Sequence, residues 1–372
     1  MDDAENSVGR SAPPVRWAIH GQRILAAAWL AFDMRKLTIA AVGLLILQLG
    51  WTVLDGAFAG SAEVTPWVLE TGEAMVRPSE RFSWSWVTVE RLSHRLFEPS
   101  RILLAPFGTF LDPHSPGLSK LHALIAVVWL FVVWGPAGGA IARMAVVQVA
   151  QSRRVGIGEA VRFGWKSAGA LILSPLCPLI GLTFCTLAGL VLGLIYRVPG
   201  GSAVAGVLLF IPITVAVVMT LFVGAIAAGW PMFHAALASG AEDALDAMVR
   251  TYSYLTQRLA LFGIGVAIAW ATGLAGLALA ELVVDTVIQL AEWSVALTGP
   301  GPEIAALFAG SEPRMTGLAP AAHRFWLGVA RLAGQAWVYS FFWTAASLIY
   351  LGLRHEVDGT PATAVDPPEP PR

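Results

Sequence analysis

Charged residues are scarce in this chain. Asp, Glu, Lys and Arg make up 13% of its 372 residues, whereas a typical soluble domain contains about 25%. Hydrophobic residues account for 56% of the sequence. This balance argues against an ordinary water-soluble protein and predicts a chain that is solvated mostly by lipid. The formal net charge is only −1, so no general electrostatic field favours nucleic acid as a partner.

Cysteine is almost absent. The two cysteines, Cys177 and Cys185, lie in one apolar run, and their spacing separates them by about 12 Å along a helix. A disulfide requires Cα atoms within about 7 Å of each other, so these two residues are not predicted to bond to each other. We interpret both as small buried side chains.

Sequence motifs for catalysis and cofactor binding are also absent. The chain contains no P-loop, no HExxH and no GxSxG pattern. The pairs Gly156-Ile-Gly158 and Gly263-Ile-Gly265 lack a third glycine and a preceding strand, so they do not predict a dinucleotide site. The seven histidines are scattered without the spacing of metal ligands. We therefore predict no enzyme activity, no cofactor and no metal.

Long charge-free runs indicate where the chain crosses the membrane, because roughly 20 apolar residues span a bilayer. The longest run, residues 198–241, shows no turn signal in its apolar part, so it predicts one span and an exit rather than two spans. We predict an all-α integral membrane protein with about six transmembrane helices in a single membrane domain, residues 15–354. The predicted spans are residues 37–58, 121–146, 168–196, 203–231, 259–281 and 328–353.

Three more polar segments, each with apolar residues at helical spacing, precede spans one, three and five. They lie near residues 16–35, 157–167 and 240–257 and predict amphipathic helices on the cytoplasmic surface. The third begins with Ser239-x-x-Glu242, the pattern of a capping box. Surface helix, span and return span thus form a loose threefold pattern, although residue identity between the units is poor.

The other segments connect or flank the spans. Residues 1–14 and the proline-rich tail, residues 355–372, are predicted to be disordered. The extracytoplasmic loop, residues 60–119, contains several tryptophans and prolines. Two interpretations of this loop remain open: a small folded cap over the bundle, or a lid over a substrate or partner site.

Lys and Arg in the short loops predict the orientation. If the N-terminus is inside, the inner segments carry far more Lys and Arg than the short outer loops. The large loop opposes this trend, but long loops translocate largely regardless of charge. We predict a protein of the cytoplasmic (inner) membrane with both termini in the cytoplasm.

Ionisable and polar residues at membrane depth are the candidate site residues. They are Arg143, Glu281, Asp285, Arg331 and Gln335. Each lies near a predicted span end, where snorkelling offers a structural explanation. An Arg331–Glu281 pair between spans five and six is predicted to be either a structural tie or part of an outer-facing polar cavity.

Span three has two unusual features. Pro175 and Pro178 predict a kink or a break; broken helices form substrate sites in some transporters, but kinks are also common in membrane helices. Gly189 and Gly193 offer a close-packing face, which we interpret as internal to the bundle.

Three motifs carry a resemblance to a known family. They are Gly158-Glu159-Ala160-Val-Arg162-Phe-Gly-Trp165-Lys166, Glu242-Asp243-Ala244-x-Asp246-Ala247 with Tyr252-Ser253-Tyr254-Leu255, and Phe341-Phe342-Trp343-Thr344 with Ile349-Tyr350. Over roughly residues 120–358 the chain resembles uncharacterised bacterial six-span membrane proteins, which are similar to the membrane domain attached to some glycerophosphoryl diester phosphodiesterases. The resemblance implies a helical multi-span fold. It carries over no catalytic residue, and the soluble phosphodiesterase barrel is absent from this sequence.

Two functions remain open at this point. The first is a non-enzymatic protein that organises or supports other membrane components, with membrane lipids and an unknown membrane protein as partners. The second is a transporter or permease-like subunit for a lipid or apolar solute. A polar cavity reaching the middle of the membrane would favour the second function.

Overall fold

The structure is a computed structural model, and it describes residues 23–58, 85–112, 114–299, 301–308, 318–361 and 364–365. Within these ranges the chain is helical and has no strand. Six of the helices there are long and apolar enough to cross a membrane. The protein is therefore an all-α, multi-pass membrane protein, which confirms the predicted fold class. Residues 1–14 and the start of the first predicted surface helix lie outside the described ranges.

The helices are numbered in chain order. The short ones are α1 (Ala27–Leu30), α3 (Trp86–Leu96), α4 (Glu98–Leu111), α6 (Ile157–Lys166), α8 (Gly201–Val207), α10 (Ala244–Gln257) and α12 (Gly301–Phe308). The six long helices, called spans one to six, are α2 (Met34–Ala57), α5 (Gly117–Gln151), α7 (Ala168–Tyr196), α9 (Phe210–Ala238), α11 (Leu259–Ala296) and α13 (Leu318–Asp358). Even α2, with 24 residues, is about 36 Å long and exceeds the bilayer's hydrocarbon core of about 30 Å.

Span four begins later than predicted. The sequence predicts a span from residue 203, but α9 starts at Phe210 and the separate helix α8 precedes it. Pro212 explains the shift. Proline has no N–H and its ring clashes with the preceding turn, so it fits without distortion only in the first turn of a helix. Pro231 lies inside α9 and does not end it, so the helix continues to Ala238.

The junction between α9 and α10 also differs from its prediction. The sequence predicts Ser239 as the cap of the third surface helix. In the structure its hydroxyl donates to the Ala236 carbonyl at 3.0 Å and closes α9. Gly240 follows with a φ of 111°, the left-handed conformation that ends many helices. Asp243 caps α10 instead and accepts from the Asp246 N–H at 2.8 Å, so the predicted cap is wrong by four residues.

The three return spans, α5, α9 and α13, pack against one another at the centre of the bundle. Each contributes a buried tryptophan to the place where they meet: Trp134, Trp230 and Trp343. The ring centroid of Trp343 lies 6.1 Å from that of Trp134 and 5.2 Å from that of Trp230. Tyr339 stacks on Trp134 at 4.6 Å. An aromatic cluster therefore fills the place where the return spans meet.

Each unit consists of a surface helix and the two spans that follow it, and the packing of the surface helices links the three units into a ring. Helix α6 packs on α5 and α2, α10 packs on α9 and α7, and α1 packs on α13 and α11. Each one thus lies on the two spans of the preceding unit, with α1 closing the ring on the last unit. The first spans of the units follow the same order, because α2 packs on α5 and α13 while α7 packs on α9 and α5. Span α11 packs on α13 but, among the described residues, does not pack along α9.

Two ends of the bundle can now be named. The end at which α5 and α9 finish and α6 and α10 begin is the surface-helix end, and the opposite end, where spans five and six carry Glu281 and Gln335, is the loop end. The half of the α7–α9 hairpin near the surface-helix end is well packed, and Pro175, Pro178 and Pro231 are buried there. Beyond it, in residues 180–224, large apolar side chains are mostly exposed: Ile180, Phe184, Leu187, Leu190, Val191, Leu194, Val217 and Leu221.

The C-terminal tail differs from its prediction. Instead of losing structure at residue 355, α13 continues to Asp358, and Val365 is buried in a small cluster at the surface-helix end. The Arg354 guanidinium donates to the Ala364 carbonyl at 3.1 Å, and the Gln151 amide donates to the Val365 carbonyl at 3.3 Å. These hydrogen bonds hold the described part of the tail against the bundle. The predicted disorder rested on the proline content of the tail, and composition gives no information about such hydrogen bonds.

A glycine, Gly164, allows α6 to pack closely against span two. A Cβ added at Gly164 would lie 2.3 Å from the Pro136 carbonyl oxygen, which is backbone and cannot move aside. We expect Gly164→Ala to lower the free energy of unfolding by about 1–3 kcal/mol, the usual cost of overpacking. Gly158→Ala is the matched control, since the space around Gly158 is open. Thermal unfolding of the purified variants in detergent measures the difference, and equal melting temperatures would contradict the close contact.

Candidate functional site

The described part of the large loop folds onto the bundle. Ser85 caps α3 by accepting from the Thr88 N–H at 3.3 Å. Leu92 and Leu96 lie one turn apart and are buried, because α3 packs along span five. Helix α4 packs along span two and approaches span six. These two helices therefore cover the loop end of spans five and six.

A buried ion-pair cluster lies under α3. Glu281 of span five is only 4% exposed, and loop arginines engage both of its carboxylate oxygens. Arg95 donates to Oε1 at 2.6 Å, and Arg91 donates to Oε2 at 3.3 Å. Since Arg91 and Arg95 are four residues apart, α3 presents both guanidinium groups on one face. We call Glu281, Arg91 and Arg95 the loop clamp.

Two further contacts fix α3 on span five. The Trp270 indole N–H donates to the Ser93 hydroxyl at 3.0 Å. A Cβ at Gly273 would lie 2.7 Å from a methyl carbon of Leu96 and 2.8 Å from the Phe341 ring. The glycine thus lets α3 and span six approach the same point of span five. The loop clamp consequently sits on a rigid support rather than on a free loop.

The loop clamp is continuous with polar residues of span six. The Gln335 amide donates to Glu98 Oε1 at 2.7 Å, which ties α4 to span six. Spans five and six touch at this level, because a Cβ at Gly334 would lie 3.7 Å from a methyl carbon of Val284. Asp285 is buried one turn beyond Glu281, and Arg331 lies one turn before Gln335 on its own helix. Four of the five predicted site residues thus occupy the loop end of spans five and six.

The fifth, Arg143, lies at the opposite end of the bundle. It is buried and donates to the Ala238 carbonyl at 2.6 Å, and its guanidinium carbon lies 5.4 Å from the centroid of the Phe163 ring. The Arg354 guanidinium donates to the neighbouring Ser239 carbonyl at 3.4 Å. Two arginines therefore bind the carbonyl end of α9, where the helix dipole favours positive charge. This is a structural arrangement and separates Arg143 from the other candidates.

The sequence predicts an Arg331–Glu281 pair, and the structure shows that Arg91 and Arg95 of the loop are also partners of Glu281. One signal pointed to them: Arg91 and Arg95 are spaced one turn apart on a segment with apolar residues at helical spacing. Two buried basic side chains inside spans were also not singled out. The Lys36 ammonium donates to the Leu30 carbonyl at 3.1 Å, and His234 is fully buried with its ring 4.3 Å from Trp343.

The chemistry available at the loop clamp is ion pairing. One carboxylate faces two guanidinium groups, and the cluster contains no thiol or hydroxyl nucleophile beside a base. Over the described part of the chain, no group of three or more His, Cys, Asp or Glu side chains is arranged to hold a metal ion. The clamp is therefore suited to fastening the loop or to lining a polar passage, rather than to bond chemistry.

No protein-family model matches the chain, and neither a curated protein nor a solved structure matches it. Its class rests on the fold alone: a multi-pass helical membrane protein with six candidate spans among the described residues.

Proposed function

We propose that this chain is a non-enzymatic protein of a bacterial cytoplasmic membrane that organises or supports another membrane protein. The observation that carries the proposal is the exposed half of the α7–α9 hairpin, residues 180–224. Of their most apolar 18 residues, α7 and α9 bury only 12% and 6% inside the bundle, whereas the other four spans bury between 28% and 94%. The resemblance of the chain to uncharacterised bacterial six-span proteins also supports a bacterial setting.

The glycines of span three support a partner at this surface. A Cβ added at Gly189 or Gly193 would meet no heavy atom within 4 Å, so the sequence interpretation of an internal packing face is wrong. Small residues four apart let two membrane helices approach closely. Because no other part of the described chain covers these glycines, the fitting occupant is a transmembrane helix of another protein.

Site-specific photo-crosslinking tests this function. A photoreactive amino acid at Leu190 or Leu194 is expected to form an adduct with one and the same membrane protein, because both side chains are exposed on neighbouring turns beside the glycines. Leu45 and Leu49 are the matched controls, since they are equally apolar and exposed on span one. Mass spectrometry of the adducts identifies the partner. Lipid adducts alone at all four positions would sink the proposal.

The proposed orientation places both termini and the three surface helices in the cytoplasm. In a chain whose Cys177 and Cys185 are replaced by alanine, we expect Asp246→Cys to react with a membrane-impermeant thiol reagent only after the inner side is opened. Asp112→Cys, at the loop end, is expected to react in intact cells. The opposite labelling pattern would reverse the orientation.

The loop clamp favours a second candidate function, transport of a lipid or apolar solute. Polar and charged groups at membrane depth commonly mark solute pathways, and α3 and α4 lie over this cluster. A water-filled passage would let a charged thiol reagent reach Gln335→Cys from the loop side while sparing the buried control Ala336→Cys. An unreactive Gln335→Cys would remove this candidate.

A further inference from the structure

The second surface helix, α6, and the residues just before it carry more exposed positive charge than the third surface helix, α10. Arg153, Arg154, Arg162 and Lys166 are all exposed, and Glu159 is the one acidic residue among them. Glu159 is paired with Arg153, which donates to its two oxygens at 2.8 and 3.2 Å; these hydrogen bonds lower the pKa of Glu159 despite some burial. The segment from residue 152 to residue 167 therefore keeps a net positive charge.

Helix α6 lies at the surface-helix end of the bundle, where it connects span two to span three. Span two ends at Gln151, and Ser167 follows α6 directly and precedes span three. The helix buries its small side, Ala160 and Gly164, against span two. Because Gly164 packs against Pro136, well before the end of span two at Gln151, α6 runs back along that span and keeps its outward side open to lipid.

The outward side of α6 combines apolar and basic stripes. Ile157 is exposed and Trp165 is 70% exposed; with Val161 they follow one another at intervals of four residues. Arg162 and Lys166 lie on the adjacent stripe, since Arg162 is three residues from Trp165. Tryptophan prefers the headgroup region of a bilayer, so this arrangement sets the guanidinium group of Arg162 beside lipid phosphates.

We propose that α6 and the preceding Arg153–Arg154 pair bind the headgroups of anionic phospholipids. The proposal deepens the proposed function, since it names the lipid class that the membrane-organising protein recognises. Arg154 and Arg162 supply exposed charge, and Trp165 supplies the interfacial anchor.

Helix α10 provides an internal comparison. It also exposes bulky apolar residues, Leu245 and Val249, and it also lies at the surface-helix end. Its charges differ, however, because Asp246 pairs with Arg250 at 2.6 Å and the exposed residues Glu242 and Asp243 precede it. Helix α10 therefore also exposes bulky apolar side chains, but it does so without a net positive charge.

The test measures phosphatidylglycerol retained by the full-length protein. The protein is reconstituted into nanodiscs of equal parts phosphatidylethanolamine and phosphatidylglycerol, released, and analysed by native mass spectrometry. Each basic residue near an anionic surface contributes about fivefold in affinity, so Arg154→Gln and Arg162→Gln are each expected to lower retention about fivefold, and the double variant about 25-fold. Retention should also fall as salt rises.

Two further variants separate charge from folding. Glu159→Gln frees Arg153 and is expected to increase retention, whereas a misfolded helix would lose it. Arg258→Gln removes one exposed positive charge beside α10 and is expected to leave retention unchanged. Equal retention by the wild type and the double variant, with both folded, would overturn the proposal. Because lipid retention is measured with purified protein and lipid, its result is independent of the crosslinking result at the α7–α9 hairpin.

Discussion

Trp343→Ala is expected to lower the free energy of unfolding by about 3–5 kcal/mol, as large-to-small changes at fully buried aromatic positions do. Trp343 is completely buried, and its ring contacts Trp134, Trp230 and His234 on the other two return spans. It also packs on Gly138, where an added Cβ would lie 2.7 Å from the indole. The alanine would leave a cavity that all three return spans border.

The cause of this loss differs from that in a soluble core. Lipid tails are as apolar as the protein interior, so transfer out of water contributes little to helix association within the membrane. The loss comes from the many dispersion contacts of one large ring and from the cavity that replaces them. A lipid chain cannot reach this site, because Trp343, Trp134 and Trp230 are all buried.

Thermal unfolding in detergent, followed by monomer recovery on size-exclusion chromatography, measures the effect. Trp326→Ala is the matched control on the same helix, since Trp326 is exposed, and we expect it to change stability little. Trp343→Phe should fall between the wild type and Trp343→Ala because it keeps part of the ring volume. If Trp343→Ala and Trp326→Ala melt alike, the three tryptophans are not the centre of the bundle.

Glu281→Gln is expected to cost about 3 kcal/mol or more and to loosen the large loop. The substitution keeps the size of the side chain but leaves the charges of Arg91 and Arg95 without their carboxylate. Breaking a buried ion pair by removing one partner costs about 3–5 kcal/mol, since the remaining charge stays poorly solvated. The arginines are each about one-quarter exposed, so water offsets part of this loss and places the effect at the lower end.

Limited proteolysis of the loop, combined with thermal unfolding, checks this expectation. Glu281→Gln should speed cleavage near α3, whereas Glu90→Gln, an exposed carboxylate on α3 itself, should not. The triple variant with Arg91→Gln and Arg95→Gln should recover part of the stability because no unpaired charge remains. A triple variant less stable than Glu281→Gln alone would contradict the ion-pair explanation.

The sequence predicts the spans well because its signal is local. Each span contains a long charge-free run, and the helices α5 and α7 contain their predicted ranges. Errors arise where two local signals compete. Pro212 was assigned to the interior of span four, but it fits only the first turn. Ser239 has the spacing of an N-cap, but Gly240 ends the preceding helix first and leaves the serine on that helix.

The loop clamp could not be predicted in the same way. Arg91 and Glu281 are 190 positions apart in sequence, and the pattern around each says only that it lies on a helix. The candidate residues in spans five and six were found because charge at membrane depth is rare. Their loop partners were not found, since an arginine in a loop between two spans is usually explained by exposure to solvent.

The surface helices illustrate a further limit. Helical spacing predicts that each has an apolar stripe, but it does not say which side faces the bundle. In the structure the small residues Ala160 and Gly164 of α6, and Ala27 and Ala31 near α1, are buried, whereas bulky Trp165 is exposed. Close packing between membrane helices depends on small residues, so the side with the smallest side chains is the one that docks.

The cyclic packing of the surface helices has a consequence for biosynthesis. Helix α1 is made first, yet the spans that receive it, α11 and α13, are made last. During translation α1 cannot dock until the sixth span has been made, because it packs on α11 and α13. In contrast, α6 and α10 can dock at once, because the spans on which they pack precede them in the chain. A chain stopped after α10 would hold two docked surface helices, α6 and α10, and one undocked, α1, and only the finished chain closes the ring.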